Sequence, residues 1–334
     1  MSEPSPTADW RADPAWPDVD VVMPILNEAA HLGAALAAVR EQGYPGRLQV
    51  IMAIGPSTDG TEAVAADLAA LDTDLVVVDN PTGKTPAALN FAIRAGTAPV
   101  VVRVDGHSQL SGGYIEQAVT TLRRTGAANV GGMQVPVVTT PFEHAVAAAT
   151  SSWMGTGGAS YRTGGAEAEV DTVYLGVFDR AAIEAVGLFD ERLIRNQDYE
   201  LNIRLRKAGG TVVFDPELSV GYTPRGSWKA LAKQYFEYGQ WKVTVLKKHP
   251  DSLKVRQLIP ALVAVAVTIC SALGLRSRRL LGVPVAYGAV LALTTRTPRV
   301  AGVVATIHLA WGAGFWSSLS RLVSRVVSAR RRPR

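Results

Sequence analysis

The stretch VVVRVDGHS, residues 100–108, offers the first side chains that could do chemistry. Four of its first five residues are valine, which suits a strand buried on both faces of a sheet. The strand then breaks off into Asp105, Gly106 and His107, with Arg103 just before the end. A carboxylate and an imidazole two residues apart can hold a cation or carry a proton. A second acid stands out in NQDYELNIRLRKAGG, residues 196–210. There Leu201, Ile203 and Leu205, with charges between them, suit the start of a partly buried helix. Asp198 falls near its N-terminus, where the helix dipole favours a carboxylate. Plainer roles are open to both: Asp105 as a turn cap beside a solvated His107, and Asp198 as a helix cap.

The elements that must position these residues alternate. Apolar strands at 19–23, 48–54, 75–78 and 100–104 precede helical patterns at 28–42, 61–71, 86–95 and 111–124. Such alternation predicts an α/β fold with a mostly parallel, doubly wound sheet flanked by helices. Ligands bind beyond the carboxyl ends of strands in such sheets, so polar residues should gather there. They do: PILNEA with Asn27 and Glu28, GPSTDGT at 55–61, DNPTGKTPAALN at 79–90, and DGHS. Asn27 and Asp59 also suit helix caps, and 55–60 suits a turn. Two nucleotide motifs are excluded. The GKT at 83–85 lacks the glycine a phosphate-binding loop needs at Val78, and no G-x-G-x-x-G follows the first strand.

Hydrophobic residues form 48% of the 334. Three uncharged runs, 258–275, 280–295 and 300–320, read as two or three membrane helices, the second rather short. The third, holding His308, also suits an interfacial or re-entrant segment. Eight Lys and Arg against two acids at 225–256, and six arginines at 321–334, then face lipid and not nucleic acid. A single cysteine, Cys270, excludes an internal disulfide and a cysteine-based zinc site. The expected organisation is a disordered arm (1–18), without signal-peptide character, and an α/β domain (19–225). A basic amphipathic juxtamembrane segment (226–257), membrane helices (258–320) and an arginine-rich tail (321–334) follow. The α/β domain is expected on the cytoplasmic face of the cell membrane.

VVMPILNEA, STDGT, RVDGH and NQDYELNIRLRKAGG, in this order, resemble family 2 inverting glycosyltransferases of the GT-A fold. With YFEYGQWK (235–242), KKHP (247–250) and HLAWGAGF (308–315), the chain is similar to succinoglycan-biosynthesis-type membrane-anchored transferases. The likeness spans about residues 21–315.

The resemblance implies an Asp-x-Asp motif at the end of the fourth strand, holding a divalent metal and the donor diphosphate. Asp105 matches its first acid and His107 stands at the second. Mg2+ prefers oxygen ligands, and an imidazole shifts the balance towards Mn2+; His107 could instead hydrogen-bond the diphosphate. Asp198 matches the catalytic base, although the usual Glu-Asp pair reads Gln197–Asp198. Pro24, Asn27, Glu28, Asp59, Lys84 and Asp105 become candidates for the nucleotide-sugar pocket. Gln240 and Trp241 become candidates on the acceptor or membrane side, Trp241 as a sugar-stacking ring or a headgroup anchor. The acid pair that usually precedes STDGT is replaced by Ile54 and Gly55, so a side-chain acceptor for a uracil base is missing there. The implied partners are a nucleotide-sugar donor, first expected to be UDP-linked, a polyprenyl-diphosphate-linked acceptor and membrane lipids, with no nucleic acid. The alternative is a catalytically silent, membrane-anchored binding or scaffold protein.

Overall fold

The computed structural model describes residues 9–330, with side chains to 324. By backbone contacts the chain forms two units. One comprises Met1–Val135 and Gly164–Tyr222, the other Pro136–Thr163 and Thr223–Arg334.

The first unit is built on nine strands: β1 (Val19–Ile25), β2 (Leu48–Ile54), β3 (Leu75–Asp79), β4 (Val100–Arg103), β5 (Gln109–Leu110), β6 (Asn129–Pro136), β7 (Ala168–Glu169), β8 (Val177–Asp179) and β9 (Val212–Tyr222). Their order is β3-β2-β1-β4-β8-β6-β9-β5, with β7 on β9. The four strands expected from the alternation are parallel, β1 lying between β2 and β4. Beyond β4 the sheet turns antiparallel: β8 opposes β4 and β6, and β5 and β7 oppose β9. The sheet is therefore mixed.

Alternation along the strands explains their near-continuous apolar sequence. Val21, Met23, Val50, Met52, Val100 and Val102 face one buried layer, packed with Leu32, Leu36 and Val119 from flanking helices. Val22, Ile51, Ala53 and Val101 face the other, packed with Leu89 and Ile93 and with Leu201 and Leu205 of the helix Gln197–Lys207. With both faces covered, polar positions are left to the strand ends. Register sets those ends level, since Ile25 pairs with Ile54 and Ile54 with Asp79.

Part of the arm is ordered. Trp10 and Arg11 both bond Asp179, Trp16 packs edge-on against Tyr44, and Arg123 donates to the Ala15 carbonyl. Aromatic and guanidinium groups thus pin a Pro- and Asp-rich segment whose composition suggested disorder. Residues 1–8 of the arm lie outside the described residues.

The second unit is helical. It comprises Pro141–Thr150, Trp228–Lys248, Val255–Gly274, Gly282–Thr294, Pro298–Arg330 and shorter turns. The segment 136–163 thus leaves the span 19–225 and groups with the C-terminal helices. Val255–Gly274 and Pro298–Ser324 are long and apolar enough to cross a membrane. Gly282–Thr294, with 13 residues, reaches only about 20 Å against a hydrocarbon core of about 30 Å. The tail 321–334 continues the last helix to Arg330; residues 331–334 lie outside the described residues.

Candidate active site

Three loops leave the level edge of the sheet and are bonded to one another. Asn27, at φ 55°, takes a left-handed conformation that asparagine tolerates better than most residues. Its amide donates to Ser57 Oγ (3.0 Å), and its Oδ1 accepts from the Thr58 amide (2.8 Å). Asp59 accepts from the Ala29 amide on one oxygen and from the Thr61 amide and hydroxyl on the other. The Thr61 hydroxyl, with those amides, holds the Asp59 carboxyl below its ordinary range. Asp59 and Asn27 therefore strap the β1 loop to the β2 loop. The Asn80 amide in turn donates to the Ile54 carbonyl, bringing the β3 loop alongside.

At the β4 end, Gly106 closes against the β1 loop. A β-carbon there would lie 2.9 Å from Ile25 Cδ1 and 3.2 Å from Glu28 Cγ. His107 is exposed, and its Nδ1 stands 3.2 Å from Glu28 Oε1.

Arg103 has the same strand parity as Val101, so its side chain points to the layer that holds the helix Gln197–Lys207. It is 5% exposed. Nε donates to Asp105 Oδ1 (2.9 Å), Nη2 reaches Asp105 Oδ2 (3.3 Å), and Nη1 donates to Asp198 Oδ1. One buried guanidinium thus grips both carboxylates. Burial works against the charge of Arg103, but Asp105 and Asp198 outweigh it and hold its pKa above the ordinary arginine value. Burial pushes Asp198 above the usual carboxylate range, Arg103 pulls it back, and the charge of Asp105 adds to the rise. The Asp198 side chain keeps 33% of its surface open, so a carboxylate of raised basicity remains reachable.

The helix that carries Asp198 is firmly held. It starts on Asn196, again left-handed at φ 61°. Asn202 accepts from Asn129 Nδ2 (2.8 Å) and donates to Thr172 (2.9 Å). Arg204 binds both oxygens of the fully buried Glu200 and the carbonyls of Val186 and Leu188. Buried Asn90 exchanges two hydrogen bonds with the backbone of Phe189, fixing the loop that leads to Asp198.

The structure therefore assembles Asn27, Glu28, Asp59, Asp105, His107 and Asp198 at one edge. Pro24 sits inside β1, paired with Ala53. Lys84 is exposed at the start of the helix Thr85–Ala95, and no bond to the acids draws it in. Gln240 and Trp241 are half-buried in Trp228–Lys248, in the other unit. Arg103 is the residue whose role the sequence reading missed. Its signal was an arginine inside a run of valines. Asn90 and Asn202 gave no local signal, because their partners are distant in sequence.

Among the described residues no group of three His, Cys, Asp or Glu side chains could hold a metal ion. A metal bound through a diphosphate needs few protein ligands, and Asp105 and His107 stand two residues apart at the end of β4. Glu28 against Nδ1 is also the carboxylate that commonly orients a ligating imidazole, leaving Nε2 for the ligand.

Residues 20–186 match Glycosyl transferase family 2. The chain is 34% identical over 319 residues to the succinoglycan biosynthesis protein ExoA of Rhizobium meliloti (strain 1021), covering 92% of this chain and 96% of ExoA. The chain belongs to glycosyl transferase family 2. It is a glycosyltransferase, and nucleotide-sugars are the donors of its reaction class. A Methanococcus voltae dolichyl N-acetyl-alpha-D-glucosaminyl phosphate 3-beta-D-2,3-diacetamido-2,3-dideoxy-beta-D-glucuronosyltransferase is 25% identical over 69% of this chain and 74% of its own. The mannosyltransferase PcManGT of Pyrobaculum calidifontis, solved with GDP-Man and Mn2+, shares the GT-A fold with a TM-score of 0.69. That likeness covers 92% of this chain and 88% of PcManGT at 21% identity.

Proposed function

We propose that this family 2 enzyme transfers a sugar with inversion from a nucleotide-sugar to a polyprenyl-diphosphate-linked glycan or a glycolipid. The reaction would take place at the cytoplasmic face of the membrane. The observation that carries the reading is the Arg103 fork, which brings Asp105 and Asp198 to one point. Asp198, exposed on one side and of raised basicity, takes the proton from the acceptor hydroxyl as that oxygen attacks the anomeric carbon from the side opposite the departing diphosphate. Asp105 and His107 would hold a divalent cation, Mn2+ or Mg2+, which offsets charge on the leaving diphosphate when bound. Glu28 keeps the His107 ring turned for that work. The left-handed Asn27 and the strap through Asp59 hold the β1 and β2 loops where a nucleotide would lie.

The usual acid pair is absent, and its place is closed. A β-carbon on Gly55 would lie 3.0 Å from Leu26 Cδ1 and 3.3 Å from Gly83 Cα. Recognition of the base would then rest on backbone groups. UDP-sugars are the first donors to try by family resemblance. GDP-mannose is the second, being the ligand of the solved neighbour. Pro24 and Lys84 complete the proposed nucleotide side, and Gln240 and Trp241 the acceptor side. The lipid-linked acceptor is supported by the ExoA likeness and by the apolar helices.

The test is a screen of nucleotide-sugars with and without Mn2+ or Mg2+, read as nucleoside diphosphate release. Cation-dependent release from one donor is expected. No release from any donor, together with no binding of nucleoside diphosphates, would leave a silent scaffold instead.

A further inference from the structure

β4 is the turning point of the sheet, with parallel β1 on one side and antiparallel β8 on the other. The loops after β1, β2 and β3, assigned above to the nucleotide, therefore occupy one flank of the two acids. The segment 170–176, which leads into β8, borders the opposite flank. Because β8 runs against β4, with Val177 opposite Val102, that segment crosses the edge where Asp105 stands.

The segment is tied at two points to the machinery already described. Thr172 Oγ1 accepts from Nδ2 of Asn202 (2.9 Å), one helical turn beyond Asp198. The Gly176 carbonyl accepts from the Arg103 amide (3.1 Å). Between these ties the chain bends through left-handed geometry, with Leu175 at φ 59° and Gly176 at φ 102°. Leu175 is buried, and a β-carbon on Gly176 would lie 2.6 Å from the Phe178 ring. Such a conformation is strained for leucine and persists only where its surroundings impose it. The bend leaves Tyr174 half-buried, packed against the layer that holds Val102 and Val220. Its phenol lies within electrostatic reach of the Arg103 guanidinium. Its ring centre is 6.5 Å from that of Tyr222, also half-buried, at an interplanar angle of 58°. Tyr222 ends β9 beside Gly221, which pairs with Gln109, two residues past His107. The two rings thus meet on the flank of the acids that the nucleotide loops leave open.

In an inverting transfer the acceptor hydroxyl must reach the base from the side away from the diphosphate. A pyranose has a face of C–H groups that packs on aromatic rings, while its hydroxyls lie at the rim. We propose that Tyr174 and Tyr222 form the platform on which the acceptor's terminal sugar stacks, presenting its reactive hydroxyl to Asp198. The acceptor is then a glycoside and not a bare lipid phosphate. The proposal rests on the transferase reading and adds the surface that meets the acceptor.

The test uses the full chain in a non-glycosidic detergent, with Mn2+ and a donor that passes the screen above. Octyl β-D-glucoside, galactoside and mannoside serve as acceptor probes. Nucleoside diphosphate release should rise saturably with at least one of them. Tyr174→Leu and Tyr222→Leu keep apolar bulk without a ring, and each should raise KM for that glycoside about five- to tenfold. KM for the donor should stay within about twofold, a split that general loss of structure would not give. Tyr174→Phe and Tyr222→Phe should keep the wild-type KM for the glycoside. On the wild-type chain, the same glycoside should lower tetranitromethane nitration of Tyr174 and Tyr222 several-fold. Peptide mass spectrometry maps that protection and needs no folded variant. Release that no glycoside raises, an unchanged glycoside KM in both leucine variants, or undiminished nitration overturns the platform. No release and no nucleoside diphosphate binding in the wild type overturns the transferase reading itself.

Discussion

Arg103 and Asp198 stand 95 positions apart in the chain and are joined by a hydrogen-bonded ion pair. The same guanidinium holds Asp105, two residues along its own strand. The distant acid and the near one are therefore fixed relative to each other by a single rigid group. The fork of arginine fixes this geometry, because its donors lie in one rigid plane, whereas those of an ammonium rotate freely.

Replacing Arg103 separates charge from geometry. Arg103→Met leaves two carboxylates beside a buried apolar side chain and should lower stability by about 3 kcal/mol, as breaking a buried pair does. Arg103→Lys restores the charge without the fork and should fall between. Thermal melts should rank wild type above Lys above Met; a Met variant as stable as wild type would deny the fork any structural weight.

Asp198→Asn keeps size and hydrogen bonding but removes the basic oxygen. Turnover should drop by about 10²–10⁴, the usual span for a general base, while calorimetric titration still shows nucleoside diphosphate binding. Retained turnover would remove Asp198 from the chemistry.

The pH profile should follow the raised pKa of Asp198. Because burial favours its neutral form, the acid limb of kcat/KM should lie above the usual carboxylate range, and activity should fall as pH drops through it. The sign for stability is opposite to that of a salt-bridged acid with a depressed pKa. This carboxyl is easier to protonate folded than unfolded, so its contribution to stability improves as pH falls through the folded value and worsens as pH rises. In Arg103→Met, which loses the group that pulls the pKa down, the acid limb should move higher still. A limb that stays put would show that Arg103 does not tune the base.

Glu28 and His107 should act as a unit. Asp105→Ala and His107→Ala should each abolish Mn2+-dependent binding of donor. Glu28→Gln should weaken Mn2+ affinity about 10–100-fold, the usual effect of losing an outer carboxylate. Manganese electron paramagnetic resonance with bound nucleoside diphosphate gives the readout without turnover. Unchanged Mn2+ affinity in Glu28→Gln would leave the Glu28–His107 contact a surface pair.

The strand-helix alternation, the four polar clusters and the two acids were legible because each depends on residues near one another in the chain. Period and composition report local burial, and runs such as VVVRV report burial on both faces. The antiparallel half of the sheet was not legible. Strands β7 and β5 have two residues each and β8 has three, too short to show a period, and their pairing is decided by partners far along the chain. The ordering of Trp10 and Trp16 on the sheet and the departure of 136–163 to the helical unit escaped for the same reason.

By itself the sequence determined which side chains could do chemistry and which strand ends would present them. The tertiary structure alone decided which of them meet: Arg103 with Asp198, Glu28 with His107, and Asp59 with the β1 loop. A hydrogen bond is a matter of about 3 Å between particular atoms. Only the packing of the helix Gln197–Lys207 against the sheet brings atoms 95 residues apart within that reach.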